Sequence, residues 1–334
     1  MAGTAMKQFV GSPLMGIALI ALVGLVYPVA FADPFARHLG ILICLYGTMS
    51  TAWNLLGGYA GQVSLGHALF FGIGAYTSTV LLRWYLLSPW VGMVAGGVLA
   101  VLVSLLIGYP TFRLTGHYFS IATIAVAEII NISVTNWDLV GGARGISPPL
   151  LPEAFINLQF RGKLPYYLIA LGILVAALLT THLIERNRWG YYFRAIREDP
   201  VAAASLGVDV ARYKLYAMAI SALLTSVAGT FYAQYVLFVD PGSALALSLS
   251  ILIALTAILG GAGTLFGPLV GASVLVPLSE LTRVYLSGAA RAVDLLIYGF
   301  LIMVIAAFQP RGLMGLAAGW RRARRVGTPR RAVA

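Results

Sequence analysis

The sequence predicts an all-α, polytopic membrane protein, and three observations carry that prediction. Of its 334 residues 60% are hydrophobic and 10% charged, and the mean hydropathy is +0.90, whereas soluble domains carry about 25% charged residues. The apolar residues gather into runs of about 20, the length a helix needs to cross a hydrocarbon core about 30 Å thick. Between the runs lie short polar loops that hold most of the 22 Lys and Arg, set against 11 acids. The resulting charge of +11 reads as orientation in a bilayer, because no aromatic-basic RNA motif accompanies it and nucleic acid is not an expected partner.

On that ruler the apolar runs are 14–32, 38–56, 65–84, 91–109, 118–136, 166–184, 215–238, 246–259, 266–285 and 292–308, which makes ten expected spans in one transmembrane domain, 1–334. The first follows Lys7 and ends in Ala30-Phe31-Ala32, imitating a secretory signal with its small-x-small cleavage site. Its length suits a retained span, and that is the expectation. The second holds the single cysteine, Cys44, a small core residue with no partner for an intrachain disulfide. The eighth run is short and the ninth carries Pro268 and Pro277. This pair is therefore where a broken or re-entrant segment is expected, tolerated where protein or a water-filled path covers the freed backbone groups.

Orientation follows from the cations. With the N-terminus inside, one side collects fifteen Lys and Arg and the other seven, as the positive-inside rule requires. Both termini are then cytoplasmic, together with the loop 185–213 and the basic tail 309–334. The tail, with Trp320-Arg321-Arg322-Ala323-Arg324-Arg325, reads as a topology anchor on anionic lipid headgroups. The loop 137–165 faces outside; it is longer than a usual connection, and an ordered irregular surface for something arriving from outside is expected there.

Two glycine blocks echo one another. Gly57-Gly58-Tyr59-Ala60-Gly61, with Gly66 and Gly72 further on, matches Gly260-Gly261-Ala262-Gly263, with Gly267 and Gly271 further on. Each closes one span and opens the next on the cytoplasmic side, the pattern of two parallel pseudo-repeats. Glycines there permit tight turns and close helix approach in lipid, which serves plain packing as well as a gate. The candidate path or gate comprises Gly58, Gly61, Gln62, Ser64, His67, Glu128, Gly261 and Gly263. Glu128, in mid-span, must be neutral, paired or turned to water, with Asn131 and Thr123 as hydrogen-bonding neighbours for a structural tie. His67, beside Gln62 and Ser64, reads as a satisfied interfacial histidine, and Glu280 with Arg283 as a local i,i+3 ion pair.

The stretch 184–214 interrupts the hydrocarbon with ten charged residues. Asp199-Pro200 is a helix start, since aspartate caps free amides and proline at the first position loses no needed donor. Gly207 is a stop, and Asp209 caps the next helix. The enclosed Val201-Ala202-Ala203-Ala204-Ser205-Leu206 is too short to hold as a helix without packing. Its low alanine profile suits a groove on a partner, with Arg194, Arg197 and Glu198 flanking it for ion pairs. The candidate coupling residues are Arg194, Arg197, Glu198, Asp199, Pro200, Ala203, Ala204, Leu206 and Gly207. No G-x-x-x-x-G-K-[ST], H-E-x-x-H or C-x-x-C occurs, so neither catalytic residue nor metal site is expected and any energy source lies on another polypeptide.

At this point the residues carry a resemblance. Arg194-Ala195-Ile196-Arg197-Glu198-Asp199, then Ala202-Ala203 and Leu206-Gly207-Val208, with Tyr213-Lys214 after them, resembles the coupling loop of permease subunits in bacterial ABC importers of the branched-chain amino-acid type. The run from Trp53-Asn54-Leu55-Leu56-Gly57-Gly58 to Ser64-Leu65-Gly66-His67 is similar to the same family. So are Phe119-Ser120-Ile121-Ala122-Thr123-Ile124-Ala125 with Glu128, Asn136-Trp137 with Gly141-Gly142 and Gly145-Ile146, and Gly260-Gly261-Ala262-Gly263-Thr264-Leu265-Phe266-Gly267-Pro268-Leu269. The similarity is specific to the LivM-like subunit; Pro200 departs from it, where many relatives carry an acidic or apolar helix former. The resemblance implies an inner-membrane permease that pairs with a LivH-like second permease, two cytoplasmic ATPases that bind ATP-Mg, and a periplasmic substrate-binding protein. The chain itself would bind no cofactor. Alternating access, driven by a push on the helix at 200–206, would move branched-chain amino acids; urea, short amides and other amino acids are the alternatives within the family. Two other classes stay open: an ATP-independent channel or carrier, which needs no docking loop, and a membrane-embedded enzyme, which needs a set such as His67 with Glu128.

Overall fold

One local device starts helix after helix: a capping side chain followed at once by proline. In the computed structural model, which describes residues 13–114, 116–285 and 312–315, the side chains of 283–285 excepted, Asp33 accepts hydrogen bonds from the amides of Phe35 and Ala36 ahead of Pro34. Ser88 does the same for Trp90 ahead of Pro89, and Asp240 for Ser243 ahead of Pro241. Proline fixes the first helical φ and gives up an amide with no partner there, while the cap satisfies the next ones.

The helices are α1 (Pro13–Ala30), α2 (Pro34–Asn54), α3 (His67–Tyr85), α4 (Pro89–Thr111), α5 (His117–Thr135), α6 (Lys163–Arg186), α7 (Arg188–Glu198), α8 (Pro200–Ser205), α9 (Val210–Val236), α10 (Pro241–Ala244), α11 (Leu247–Gly261) and α12 (Gly267–Tyr285). Among the described residues, seven helical segments are long and apolar enough to cross a membrane: Pro13–Ala30, Pro34–Tyr59, Pro89–Thr111, His117–Thr135, Lys163–Arg186, Val210–Val236 and Pro241–Gly261. α10 leads directly into α11, which lengthens the short eighth run to 21 residues. α3 and α12 also form where runs were expected. The run 292–308, Lys7, the Arg283 side chain of the expected Glu280–Arg283 pair, and all of the tail 309–334 except Gly312–Gly315 lie outside the described residues.

The core is a triple of α3, α4 and α9 beside a second group of α2, α6, α11 and α12, with α9 and α2 in contact between them. In lipid such helices are held by close packing rather than by expulsion from water, and small residues make the closeness possible. Gly74 of α3 lies against the backbone of Ser226, Gly229 of α9 lies against the backbone of Phe71, and Thr230 Oγ1 donates to Gly74 O at 3.0 Å. α1 leans on α6, where Tyr167 Oη donates to Gly24 O at 2.9 Å.

Among the described residues the only β pairing is isolated bridges. One of them fastens the long loop after α5: Ile146 N donates to Val239 O at 2.8 Å and Val239 N to Ile146 O at 3.0 Å. Further along, the Trp90 indole donates to Phe155 O at 2.8 Å. The loop is therefore irregular but tied at both ends to helix termini of the α4 and α9 side.

Candidate functional site

The site is built where α2 stops being an α-helix. Residues Leu55–Tyr59 form a π-helical turn, with Ala60 N reaching back to Leu55 O at 3.3 Å. π turns accommodate one surplus residue and recur at functional sites. The chain then runs through 60–66 held by three side chains: Trp53 Nε1 donates to Ser64 O at 2.7 Å, Ser120 Oγ donates to Val63 O at 2.6 Å, and Thr123 Oγ1 accepts from Leu65 N at 3.1 Å. Both Ser120 and Thr123 belong to α5, so this segment ties the start of that helix to the bundle.

The second glycine block ends α11. Gly261 and Gly263 take φ of +126° and +81°, and Gly61 in the first block takes +70°, conformations that glycine adopts at little cost. The two blocks meet. The Asn54 carboxamide at the end of α2 clasps them: Oδ1 accepts from Gly263 N at 2.7 Å, and Nδ2 donates to Thr264 O at 2.9 Å. A Cβ on Gly58 would lie 2.5 Å from Gly263 N. The glycines thus remove side chains from the seam between two loops that are 200 residues apart in sequence.

The polar stretch reaches the same seam from the other side. α7 is amphipathic and turns Gly190, Phe193 and Ile196 inward. From its last turn Arg197 Nη1 donates to Gly58 O at 2.6 Å. Arg194 pairs with Glu185 of the same chain and lies over the Tyr59 ring, 5.8 Å from its centroid. Sequence considerations assigned both arginines to a partner. Both remain exposed, and each also has a partner inside the chain; for Arg197 it is the Gly58 carbonyl, which the π turn leaves without a helical amide.

α8 forms as its signals require. Asp199 Oδ1 accepts from Val201 N at 2.8 Å and Ala202 N at 3.1 Å, Pro200 occupies the first position, and Gly207 takes φ of +85° beyond the last turn. Asp209 Oδ1 accepts from Arg212 N at 3.1 Å and starts α9. Of the alanines, Ala203 is buried against its own chain, so it is the internal footing of α8. Ala204, Glu198 and Asp199 are exposed, and Val201 and Leu206 project with 74% and 86% of their surface free.

His67 is fully buried rather than interfacial, and satisfied on both ring nitrogens: Nδ1 lies 3.2 Å from Ser64 Oγ and Nε2 2.7 Å from Ser221 Oγ. Ser221 Oγ donates onward to Ala52 O at 2.6 Å. That donation leaves Ser221 an acceptor toward His67, so a neutral imidazole with its proton on Nε2 completes a chain linking α2, α3 and α9. Gln62, in the segment that leads to α3, is half-buried. Glu128, by contrast, is exposed on α5, with Asn131 Nδ2 as its neighbour at 3.5 Å. It is separate from His67, and the two do not make one catalytic set. Asn54, Thr264 and Ser221 were not anticipated from the sequence. A polar residue within the apolar run, just ahead of Leu55-Leu56 and the first glycine pair, was the available sign for Asn54.

No group of three or more His, Cys, Asp or Glu able to hold a metal occurs among the described residues. Comparison with known proteins now places this architecture. Residues 38–306 match the family model described as branched-chain amino acid transport system, permease component. The chain is 31% identical to the high-affinity branched-chain amino acid transport system permease protein LivM of Escherichia coli K12, over 93% of this chain and 76% of that protein. It is 24% identical to a probable branched-chain amino acid transport permease protein LivM of Methanocaldococcus jannaschii, over 81% and 90%. To the LivH permease protein of Escherichia coli K12 it is also 24% identical, over 81% and 91%. No solved structure matches it. With the family model covering most of the chain and a multi-pass helical bundle beneath it, this protein belongs to the permease components of branched-chain amino acid transport systems.

Proposed function

We propose that the chain is the LivM-like half of a pair of unlike permease subunits in an ATP-driven importer of branched-chain or related amino acids. It would sit in a bacterial inner membrane with both termini cytoplasmic and about ten crossings, organised as two parallel halves that meet at the paired glycine loops. A LivH-like chain would complete the path, two ATPases would supply ATP hydrolysis, and a periplasmic binding protein would deliver solute to the side bearing the clipped loop after α5.

The observation that carries this reading is α8. It is six residues long, capped at both ends, and presents Val201 and Leu206 almost bare on the side with the excess of cations. So short a helix gains little from its own hydrogen bonds, and large aliphatic side chains displayed together in water mark a surface that a partner covers. ATP-driven closure of the ATPases would push on α8, and the push would re-orient the spans about the subunit interface.

The test is to express the chain with its permease partner and ATPases, carrying Val201→Asp together with Leu206→Asp. Retention of the ATPases should fall by more than about tenfold, as expected for losing a small apolar anchor, and leucine uptake should fall with it. ATPases that stay bound and uptake that persists would refute the assignment. Titrating the cognate soluble receptor with leucine, isoleucine and valine tests the substrate class.

A further inference from the structure

Arg197 flanks α8 and is also anchored within its own chain, on Gly58 O. We propose that it is a coupling pin: its guanidinium carries displacement of α8 to the seam between the two glycine loops, where α2 and α11 end, and so governs whether that seam stays closed. The proposal rests on the function given above and assigns the residue that transmits the stroke.

Three observations converge on this side chain. Only Glu198 and Asp199 separate Arg197 from Pro200, the first residue of α8, and Asp199 is committed to capping. Any tilt of α8 is thus delivered at once to the end of α7. The guanidinium then lies in a slot that the glycines leave open. A Cβ on Gly61 would lie 3.1 Å from Arg197 Cγ, and one on Gly263 would strike Arg197 Nη1. The slot therefore involves both loops, and its contact with Gly58 O is a charge-assisted bond of 2.6 Å, of the stronger class. Lastly, among the described residues no carboxylate lies within ion-pair distance of Arg197, while neighbouring Arg194 is held by Glu185. The nearby backbone is its partner, and that backbone is the seam.

Among the described residues the seam has one other side-chain clasp between its two loops, the Asn54 carboxamide on Gly263 and Thr264. Asn54 moves with α2, whereas Arg197 moves with the cytoplasmic helices. One clasp is internal to the membrane bundle and the other belongs to the moving part, which is the arrangement a transmission requires.

Two measurements decide it. In the full chain carrying Cys44→Ser and placed in nanodiscs, spin labels at Ser205→Cys and Ile258→Cys, both solvent- or lipid-accessible, report the distance between α8 and α11. Arg197→Gln should broaden that distribution, and Arg197→Lys, which keeps the charge but not the planar fork, should restore it in part. An unchanged distribution in Arg197→Gln overturns the pin. In the assembled importer, Arg197→Gln should keep its ATPases bound while solute delivered per ATP falls at least about tenfold, the factor a charge-assisted hydrogen bond represents. Loss of the ATPases, or an unchanged ratio, also overturns it. If the wild-type assembly couples no uptake to ATP, the functional reading fails, while the distance measurement still decides the pin.

Discussion

Helix α9 buries Ser221, Thr225, Ser226, Thr230 and Gln234, whereas α5 turns only Phe119, Thr123 and Ala127 inward and leaves Glu128 exposed in mid-helix. Both are apolar segments of crossing length. Three hydroxyls of α9 find partners inside the chain: Thr225 Oγ1 donates to Ser221 O at 2.8 Å, Thr230 Oγ1 to Gly74 O and Ser221 Oγ to Ala52 O, while Ser226 Oγ and the Gln234 carboxamide are buried without a hydrogen bond. α5 is hydrogen-bonded to the rest of the bundle by side chains at its start, Ser120 and Thr123, and packs on α3, α4, α10 and α11. The contrast teaches that polarity within a span has two meanings. On α9 it knits one subunit together. On α5 a carboxylate faces outward, where hydrocarbon would penalise it by several kcal/mol, so that face belongs against water or protein.

Three substitutions probe this contrast, beginning with the most damaging. Gly229→Ala places a methyl group into the Phe71 backbone, and overpacking against main chain that cannot yield should cost about 3 kcal/mol. Detergent-extracted protein should then run as aggregate in size-exclusion chromatography; a monodisperse peak would mean that α3 and α9 are not locked as described. Next, His67→Ala removes the imidazole that joins Ser64 Oγ to Ser221 Oγ, leaving Ser221 only its bond to Ala52 O, and should cost about 2 kcal/mol, read as a lower Tm. Uptake normalised to folded protein should change little, since the imidazole is a structural link; selective loss of uptake at unchanged Tm would make His67 part of the path instead. Smallest in stability is Glu128→Gln, which should shift the Tm of the isolated chain by less than the equivalent of about 0.5 kcal/mol. A large Tm drop there would show that Glu128 ties α5 to the bundle and would erase the contrast with α9.

Much of the local structure was legible. Asp33-Pro34, Ser88-Pro89, Asp199-Pro200 and Asp240-Pro241 start helices for reasons contained in neighbouring residues, and the apolar runs found most of the long helices. What stayed hidden depends on residues far apart. Asn54 sits inside an apolar run, and only the approach of Gly263 and Thr264 from the other end of the chain gives its carboxamide a task. Arg197 is exposed, and its second role was hidden because the carbonyl that receives it belongs to Gly58, 139 residues earlier. Ala203 looked like part of the docking face, but a six-residue helix must spend one side on its own footing. The echo of the two glycine blocks was readable as a pattern; that they touch was not, because contact is a property of the packed helices.

The π turn at the end of α2 has a further consequence. An α-helix advances about 100° per residue, so the surplus residue within Leu55–Tyr59 offsets the rotational phase of everything after it by about that angle. Gly58 O meets Arg197 in this phase. The surplus residue thereby sets the direction in which Gly58 O leaves the end of α2, and that direction is toward the guanidinium.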